Sequence, residues 1–283
     1  MVTGAARGLG GAYVQALLDR GARVVASGLG TDRAGEGANS ALITEAVRAL
    51  QAGEERLIAH SGRLDHEAGC QQLVELAIAQ FGALDILIHN AGWVGYQSIE
   101  EQEDDFLERA IGINVRAPIW LSKHAWVHLK QSSAARVVLT TSDRAMYRRY
   151  AQPGLAAYAA GKMAQTGIMN ALSMEGEPHG ILVNAISPVA KTRMWALTQP
   201  SEDPKPAGVA PVVLSLASPP SHHTGVILRA SNAHFTATCF REYSSVAYPT
   251  NLALAQLSRL DDIPPLQPSL QHFADARFLP PSP

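Results

Sequence analysis

The stretch TGAARGLG, residues 3–10, decides the fold. Gly4, Gly8 and Gly10 stand where a strand would turn into a helix. Glycine permits the tight turn and lets the backbone approach a diphosphate, which then rests on the helix N-terminus, where amides and dipole favour an anion. A glycine-rich turn without a ligand has the same letters, so the segments that follow must choose between the two readings.

Downstream, short apolar runs alternate with amphipathic ones. The apolar runs are RVVAS at 23–27, RLIAH at 56–60, LDILIH at 84–89, RVVLTT at 136–141, ILVNAIS at 181–187 and GVILRA at 225–230. Segments 10–20, 41–52, 67–80, 103–130 and 156–176 carry apolar residues at helical spacing and have the length that right-handed crossovers need. Such alternation predicts βαβ units and an α/β fold with a doubly wound parallel sheet. Between Pro188 and Pro220 seven prolines accumulate and the periodicity fails, which reads as a long excursion between the last two strands. After about residue 231 the pattern fades into a Pro-rich tail ending in FLPPSP. The expected division is a dinucleotide-binding and catalytic domain over 1–230 and an irregular extension over 231–283.

Composition narrows the partners. A net charge of −2 gives no basic field to hold nucleic acid or anionic lipid, so a small-molecule substrate is favoured. Cys70 and Cys239 stand far apart and outside any C-x-x-C spacing, which points to neither a disulfide framework nor a zinc site and suits the reducing cytoplasm. No apolar run approaches the roughly 18 residues of a membrane span, and the chain opens directly on the turn motif, so a soluble, unexported protein is expected. His222 and His223 are adjacent in a Pro/Ser-rich stretch rather than at ligand spacing on one helix face, so no metal is expected. A serine hydrolase is disfavoured because no G-x-S-x-G elbow follows a candidate strand.

Two further motifs carry chemistry. In AAYAAGKMA, Tyr158 and Lys162 are four residues apart on a helix, so an ammonium lies over a phenol and can stabilise its anion. Two amphipathic residues lining a solvated face is the bland alternative. In HNAG, residues 89–92, Asn90 can bond neighbouring backbone while Ala91 and Gly92 leave room for a flat ring. Alone it would be a strand-ending turn.

TGAARGLG, HNAG, Asn114 in IGINVRAP, Ser142 in LTTSDRA, YAAGK and VNAISP follow the order of the short-chain dehydrogenase/reductase family, which the chain resembles over about 190 residues. GAYVQALLDRGARVVASGLG, HAWVHLK, MNALSMEG and ILVNAISPVAKTRM are similar to the branch that contains the (3R)-hydroxyacyl-CoA dehydrogenase part of multifunctional enzyme type 2. The resemblance implies a Rossmann-type sheet ordered 3-2-1-4-5-6-7 and an NAD(P)-dependent oxidoreductase of secondary alcohols or ketones. A 3-hydroxyacyl-type compound would be one such substrate. It implies that Tyr158 is the acid/base, that Lys162 supplies the field and holds the nicotinamide ribose, that Ser142 bonds the substrate oxygen, and that Asn114 holds a relay water. Coenzyme contacts are implied at Gly4, Arg7, Gly8, Leu9, Gly10, Asn90, Ala91, Gly92, Tyr158, Lys162, Pro188 and Thr192. Helices around 103–130 and 156–176 commonly form subunit interfaces in this family, and the small residues Ala156, Ala157, Ala159, Ala160 and Gly161 allow close approach. A homo-oligomer, dimer or tetramer, is expected, although the same small residues can pack internally.

Four departures qualify this carry-over. Only Met1 and Val2 precede Thr3, so the first, central strand is shortened; backbone groups and apolar side chains of both neighbours should be exposed, and an upstream start is the expectation. Gly28 replaces the acid that bonds the adenosine ribose, while Arg7 and Arg33 offer charge for a 2′-phosphate, so NAD and NADP both remain open. SGRLDHEA places Gly62 or Arg63 where an adenine-binding acid is expected, and Asp65 serves either that role or as a helix N-cap. Finally, Ser142 precedes Tyr158 by sixteen residues, an interval filled by RAMYRRYAQPGLAA, whose Arg144, Arg148 and Arg149 face either an anionic substrate or solvent. The departures also suggest a second function, a dinucleotide-binding sensor or scaffold without turnover.

Overall fold

The computed structural model describes residues 1–32, 37–190 and 204–240. In chain order its principal elements are β1 (Val2–Thr3), α1 (Gly8–Asp19), β2 (Val24–Ser27), α2 (Ser40–Ala49), β3 (Leu57–His60), α3 (Glu67–Phe81), β4 (Ile86–His89), α4 (Asp104–Ile111), α5 (Ala117–Leu129), β5 (Arg136–Thr140), α6 (Asp143–Met146), α7 (Ala156–Gly176), β6 (Leu182–Pro188), α8 (Ala210–Ala217), β7 (Ile227–Ser231) and β8 (His234–Thr238). The sheet runs β3-β2-β1-β4-β5-β6-β7-β8, parallel up to β7, with β8 antiparallel at the edge.

Alternation along the strands sorts the core onto both faces. Val25, Leu87, Val137 and Leu139 pack with Leu73, Leu121, Leu129 and Met169 of α3, α5 and α7. Their neighbours Val24, Ala26, Ile88 and Val138 point the other way, to Val14, Leu17, Ile43, Val213 and Leu216 of α1, α2 and α8. Register then sets the functional edge. Thr3 pairs with Ser27 and Ser27 with His60, while Val2 pairs with Ile88 and His89 with Leu139, so the strands end level and the segments following them gather at one rim. That rim is where open α/β sheets bind ligands.

The two-residue β1 does not expose its neighbours, contrary to the expectation from its length. Val2 is fully buried, Met1 joins the core beside Val25 and Leu87, and the Met1 carbonyl accepts from Ile88 N at 2.9 Å.

The long helical segment 103–130 is interrupted by a π turn, Gly112–Arg116. Pro118 supplies the reason: it has no N–H to donate and its ring would clash with the carbonyl four residues back, that of Asn114, so the ladder opens there.

Two elements lie where the pattern gave none. The excursion after Pro188 contains α8, whose Pro211 suits a first helical turn and whose Val212, Val213, Leu216 and Ala217 are buried. Beyond residue 231 the chain turns back as β8 through Asn232 and Ala233, both at positive φ (46° and 64°). This is a two-residue hairpin in which alanine occupies a position normally signalled by glycine. A bond from Ala233 N to the Gly208 carbonyl, 2.7 Å, holds it there.

Candidate active site

The rim is organised around Thr3. Its Oγ1 accepts from Asn90 N (3.2 Å) and Ala91 N (3.0 Å), so its one proton goes to Nδ1 of His89, 3.1 Å away. His89 is therefore the tautomer protonated at Nε2. Burial, and then the charge of Lys162, push its pKa down to about 3, outweighing the opposite pull of the Ile113 backbone. Asn90 completes the staple: Nδ2 donates to the carbonyls of Thr3 and Gly4, both at 3.2 Å.

This staple explains two glycines. Gly4 has φ +65°, and a Cβ there would stand 2.8 Å from Asn90 Nδ2 and 2.9 Å from Ala91 Cα. A Cβ on Gly10 would stand 2.8 Å from the same Asn90 nitrogen. Gly8 (φ +58°) and Leu9 begin α1, whose N-cap, Arg7, gives no side-chain cap, so the first amides remain available to an anion. The donor set fits the diphosphate of a dinucleotide.

On the adenosine side Gly28 packs against Ala6, and a Cβ there would lie 3.1 Å from Ala6 Cβ. Arg7 reaches across to the Thr31 carbonyl. Arg33 and Thr192 lie outside the described residues. Asp65 is not the N-cap of α3; that position is His66. Asp65 instead bonds Arg63 and, at 3.0 Å, His66 Nδ1; burial raises its pKa, but these partners outweigh burial and hold the carboxyl below its ordinary range. Pro188 ends β6 at the rim.

Tyr158 and Lys162 are both buried on α7. Lys162 Nζ donates to the Thr140 carbonyl at 2.9 Å, and burial lowers its pKa to about 8. Asn114, inside the π turn, donates through Nδ2 to the Trp93 carbonyl (3.0 Å), while its buried Oδ1 accepts from no protein group among the described residues. Both Lys162 Nζ and Asn114 Oδ1 lie 3.0 Å from where a Cβ on Gly92 would stand, so ammonium and amide converge beside the HNAG turn. Gly161 permits that approach, since its Cβ would lie 2.6 Å from Asn114 Cβ. Ala157 is likewise buried, which assigns part of the small-residue stripe to internal packing, whereas Ala156 and Ala160 are exposed.

Ser142 is the N-cap of α6, its Oγ accepting from Arg144 N at 3.2 Å. Tyr158 titrates above its ordinary value because it is buried; a hydrogen bond from Ser142 and the charge of Arg144 oppose that rise, and Tyr96 adds to it. Arg144 Nη1 donates to Tyr96 OH (2.9 Å), which donates to Gln152 Oε1 (3.0 Å). Arg144 therefore stands at the site, whereas Arg148 and Arg149 are exposed, Arg149 lying over the rings of Tyr147 and Tyr150. A cavity of about 540 Å³ opens beside this layer between Gln97–Glu100 and Ala151–Ala156. Sequence reasoning missed Tyr96, His89 and Thr3, whose roles depend on register; only the length of the Ser142–Tyr158 interval hinted at Arg144.

The arrangement combines a helix start with uncapped amides, a buried phenol near a serine hydroxyl, and a buried ammonium beside an amide acceptor. A family model of short chain dehydrogenases matches residues 1–203. Peroxisomal multifunctional enzyme A of Dictyostelium discoideum is 31% identical over 228 residues, 80% of this chain and 50% of that protein. Peroxisomal multifunctional enzyme type 2 of Mus musculus is 33% identical over 222 residues, 76% of this chain and 29% of that protein. The chain thus spans half of the first relative and less of the second. A solved structure of a 3-ketoacyl-(acyl-carrier-protein) reductase from Brucella melitensis, complexed with NADH, matches with TM-score 0.71 at 26% identity, covering 81% of this chain and 95% of that one. Among the described residues no helix is long and apolar enough to cross a membrane.

Proposed function

The chain belongs to the short-chain dehydrogenase family, and from that premise we propose that it transfers a hydride between NAD(P) and a secondary alcohol or ketone, with 3-hydroxyacyl-type compounds as the substrate class. One observation carries the reading: Lys162 and Asn114 converge beside Gly92 at the rim where the buried phenol of Tyr158 and the cap residue Ser142 also stand. The substrate class draws on the multifunctional-enzyme relatives and on the ketoacyl reductase likeness.

A bound nicotinamide dinucleotide supplies the hydride acceptor or donor. The amides of α1 and the glycine turn would hold its diphosphate, Asn90–Gly92 would flank its ring, and Lys162 would bind ribose hydroxyls. Ser142 bonds the substrate oxygen and aims it at Tyr158. Tyr158 then takes the proton from a hydroxyl or returns it to a carbonyl.

A phenol held above its usual pKa of 10 is a poor base near neutrality, and each unit costs about 1.4 kcal/mol. In this structure Ser142 and the charge of Arg144 oppose that rise; under the proposed reaction the Lys162 ammonium would add to them. Lys162, with a pKa of about 8, is still about 90% charged at neutral pH. Arg144 adds to the field at the phenol.

With no acid at Gly28 to bond the ribose hydroxyls or repel a 2′-phosphate, the adenosine side suits NAD(H) and NADP(H) alike. Exposed Ile119, Val127 and Met174 on α5 and α7 lie with Ala156 and Ala160 on helices suited to self-association, so the functional species is a homo-oligomer; sedimentation as a clean monomer would refute this.

The deciding measurement is nicotinamide absorbance with NADH and NADPH over ketones that include acetoacetyl-CoA, beside Tyr158→Phe. Turnover that disappears in the variant while coenzyme still binds is expected. Coenzyme binding without Tyr158-dependent turnover across the panel overturns the reading in favour of a sensor.

A further inference from the structure

Asp143 follows Ser142 directly and is buried, yet nothing in the reaction above uses it. Its carboxylate is saturated by donors. Arg229 Nε reaches Oδ1 and Oδ2 at 3.0 Å each, Arg229 Nη2 reaches Oδ2 at 2.6 Å, and Ser187 Oγ donates to Oδ1 at 2.6 Å. Ser187 and Arg229 are register partners on β6 and β7, and Asp143 lies just past the end of β5, so three adjacent strands meet at one carboxylate. Arg229 is fixed in turn. Its guanidinium packs over Tyr147 and Tyr150, with 5.1 and 5.6 Å to the ring centroids, and contacts Tyr150 OH at 3.4 Å. Tyr147 OH bonds Thr238 of β8.

We propose that Asp143 and Arg229 are a positioning pair that aims Ser142 at the substrate oxygen, an inference that rests on the function proposed above. The mechanism is geometric. Ser142 caps α6, a helix of one turn with too few bonds to set its own direction. Asp143, its first residue, is held by a bidentate guanidinium whose planar fork restricts angle as well as distance. The clamp therefore sets the tilt of α6 and, through it, the direction of Ser142 Oγ. A surface ion pair would not do this, but side-chain exposures of 22% for Arg229 and 11% for Asp143 and the flanking tyrosines remove most of the freedom. The pair touches no reacting atom and acts only through Ser142.

The test is a double-mutant cycle with acetoacetyl-CoA as substrate and NADPH or NADH as coenzyme. Arg229→Met should lower kcat by about 100-fold, the loss typical of a small misplacement, while coenzyme Kd measured by fluorescence moves less than about threefold because the glycine turn is untouched. Arg229→Lys should recover part of kcat. Combined with Ser142→Ala, Arg229→Met should add almost nothing to the loss from Ser142→Ala alone, since both remove one function. Multiplying losses, or wild-type kcat in Arg229→Met, would overturn the pair's role. If the Met variant does not fold, the Lys variant runs the same cycle. If the wild type reduces none of the ketones, the proposed activity fails instead, and NMR of protein labelled with carbon-13 at tyrosine Cζ decides the inference. The Tyr158 resonance should move in Arg229→Lys in the direction it moves in Ser142→Ala; an unmoved resonance refutes the coupling.

Discussion

Lys162 spends its ammonium on Thr140: Nζ lies 2.9 Å from that carbonyl oxygen, at the end of β5, inside the sheet-helix interface. The cation is thereby prepositioned at the rim and largely stripped of water. Its pKa of about 8 lies below the ordinary 10.5, so the unfolded chain binds this proton more tightly than the folded one. The sign follows: burial destabilises in full below about pH 8, and the cost fades as pH rises from about 8 towards 10.5. Lys162→Met removes about 3 kcal/mol of that cost at neutral pH and loses a hydrogen bond worth about 1 kcal/mol. The variant should be more stable than wild type by about 2 kcal/mol near neutrality, less so near pH 10, and inactive at both. Urea unfolding at the two pH values checks this; a less stable Met variant near neutrality refutes it.

Gly92 gives a probe of the same cation from the opposite wall. Its φ is not in the left-handed region, so alanine brings no backbone strain, but the new methyl would stand 3.0 Å from both Lys162 Nζ and Asn114 Oδ1. Gly92→Ala should fold with a melting temperature close to wild type and lose kcat by roughly 100-fold through displacement of the ammonium. Unchanged turnover would show that the convergence at Gly92 plays no part in proton transfer.

Much of this site was legible because its parts are local. Glycine turns, strand runs and the Tyr158–Lys162 spacing each occupy a few consecutive residues, and the parallel register then brings the strand ends to one rim. What escaped notice depends on distant partners. Asp143 and Arg229 are 86 residues apart in the chain and meet only because β5, β6 and β7 are adjacent. The π turn was written in Pro118, yet a proline near a helix start reads equally as a favourable first-turn residue. β8 was missed because Ala233 takes a left-handed conformation that a tertiary bond to Gly208, rather than its own chemistry, maintains.

Gly28 isolates coenzyme choice. In the coenzyme complex a carboxylate at this position would bond the adenosine ribose hydroxyls and repel a 2′-phosphate. Space is tight but sufficient, with Ala6 N 3.3 Å and Ile43 Cδ1 3.5 Å from the added Cβ. Gly28→Asp should lower the ratio of kcat/KM for NADPH over NADH by about 10- to 100-fold, the worth of one like-charge contact. Wild type that already rejects NADPH by a comparable factor would refute the charge argument, as would a variant with an unchanged ratio.

His89 should make the fold acid-sensitive. It is fully buried between Thr3 and the π turn, and its pKa of about 3 lies well below the ordinary 6.5. A histidine lowered in the native state accepts its proton only when the chain unfolds. Its contribution is therefore neutral above about pH 6.5 and destabilising as pH falls from there towards 3. Near pH 4.5, about two units below the unfolded pKa, the loss is about 3 kcal/mol. Protonation would also remove the lone pair on Nδ1 that Thr3 uses, so the staple beneath the glycine turn cannot survive in the charged form. In His89→Asn the amide oxygen can take the place of Nδ1 without titrating. Between about pH 7 and pH 4.5 the wild type should lose about 3 kcal/mol more than this variant in urea melts followed by circular dichroism. Parallel losses in the two proteins would mean that acid sensitivity arises elsewhere and that His89 can be protonated inside the fold.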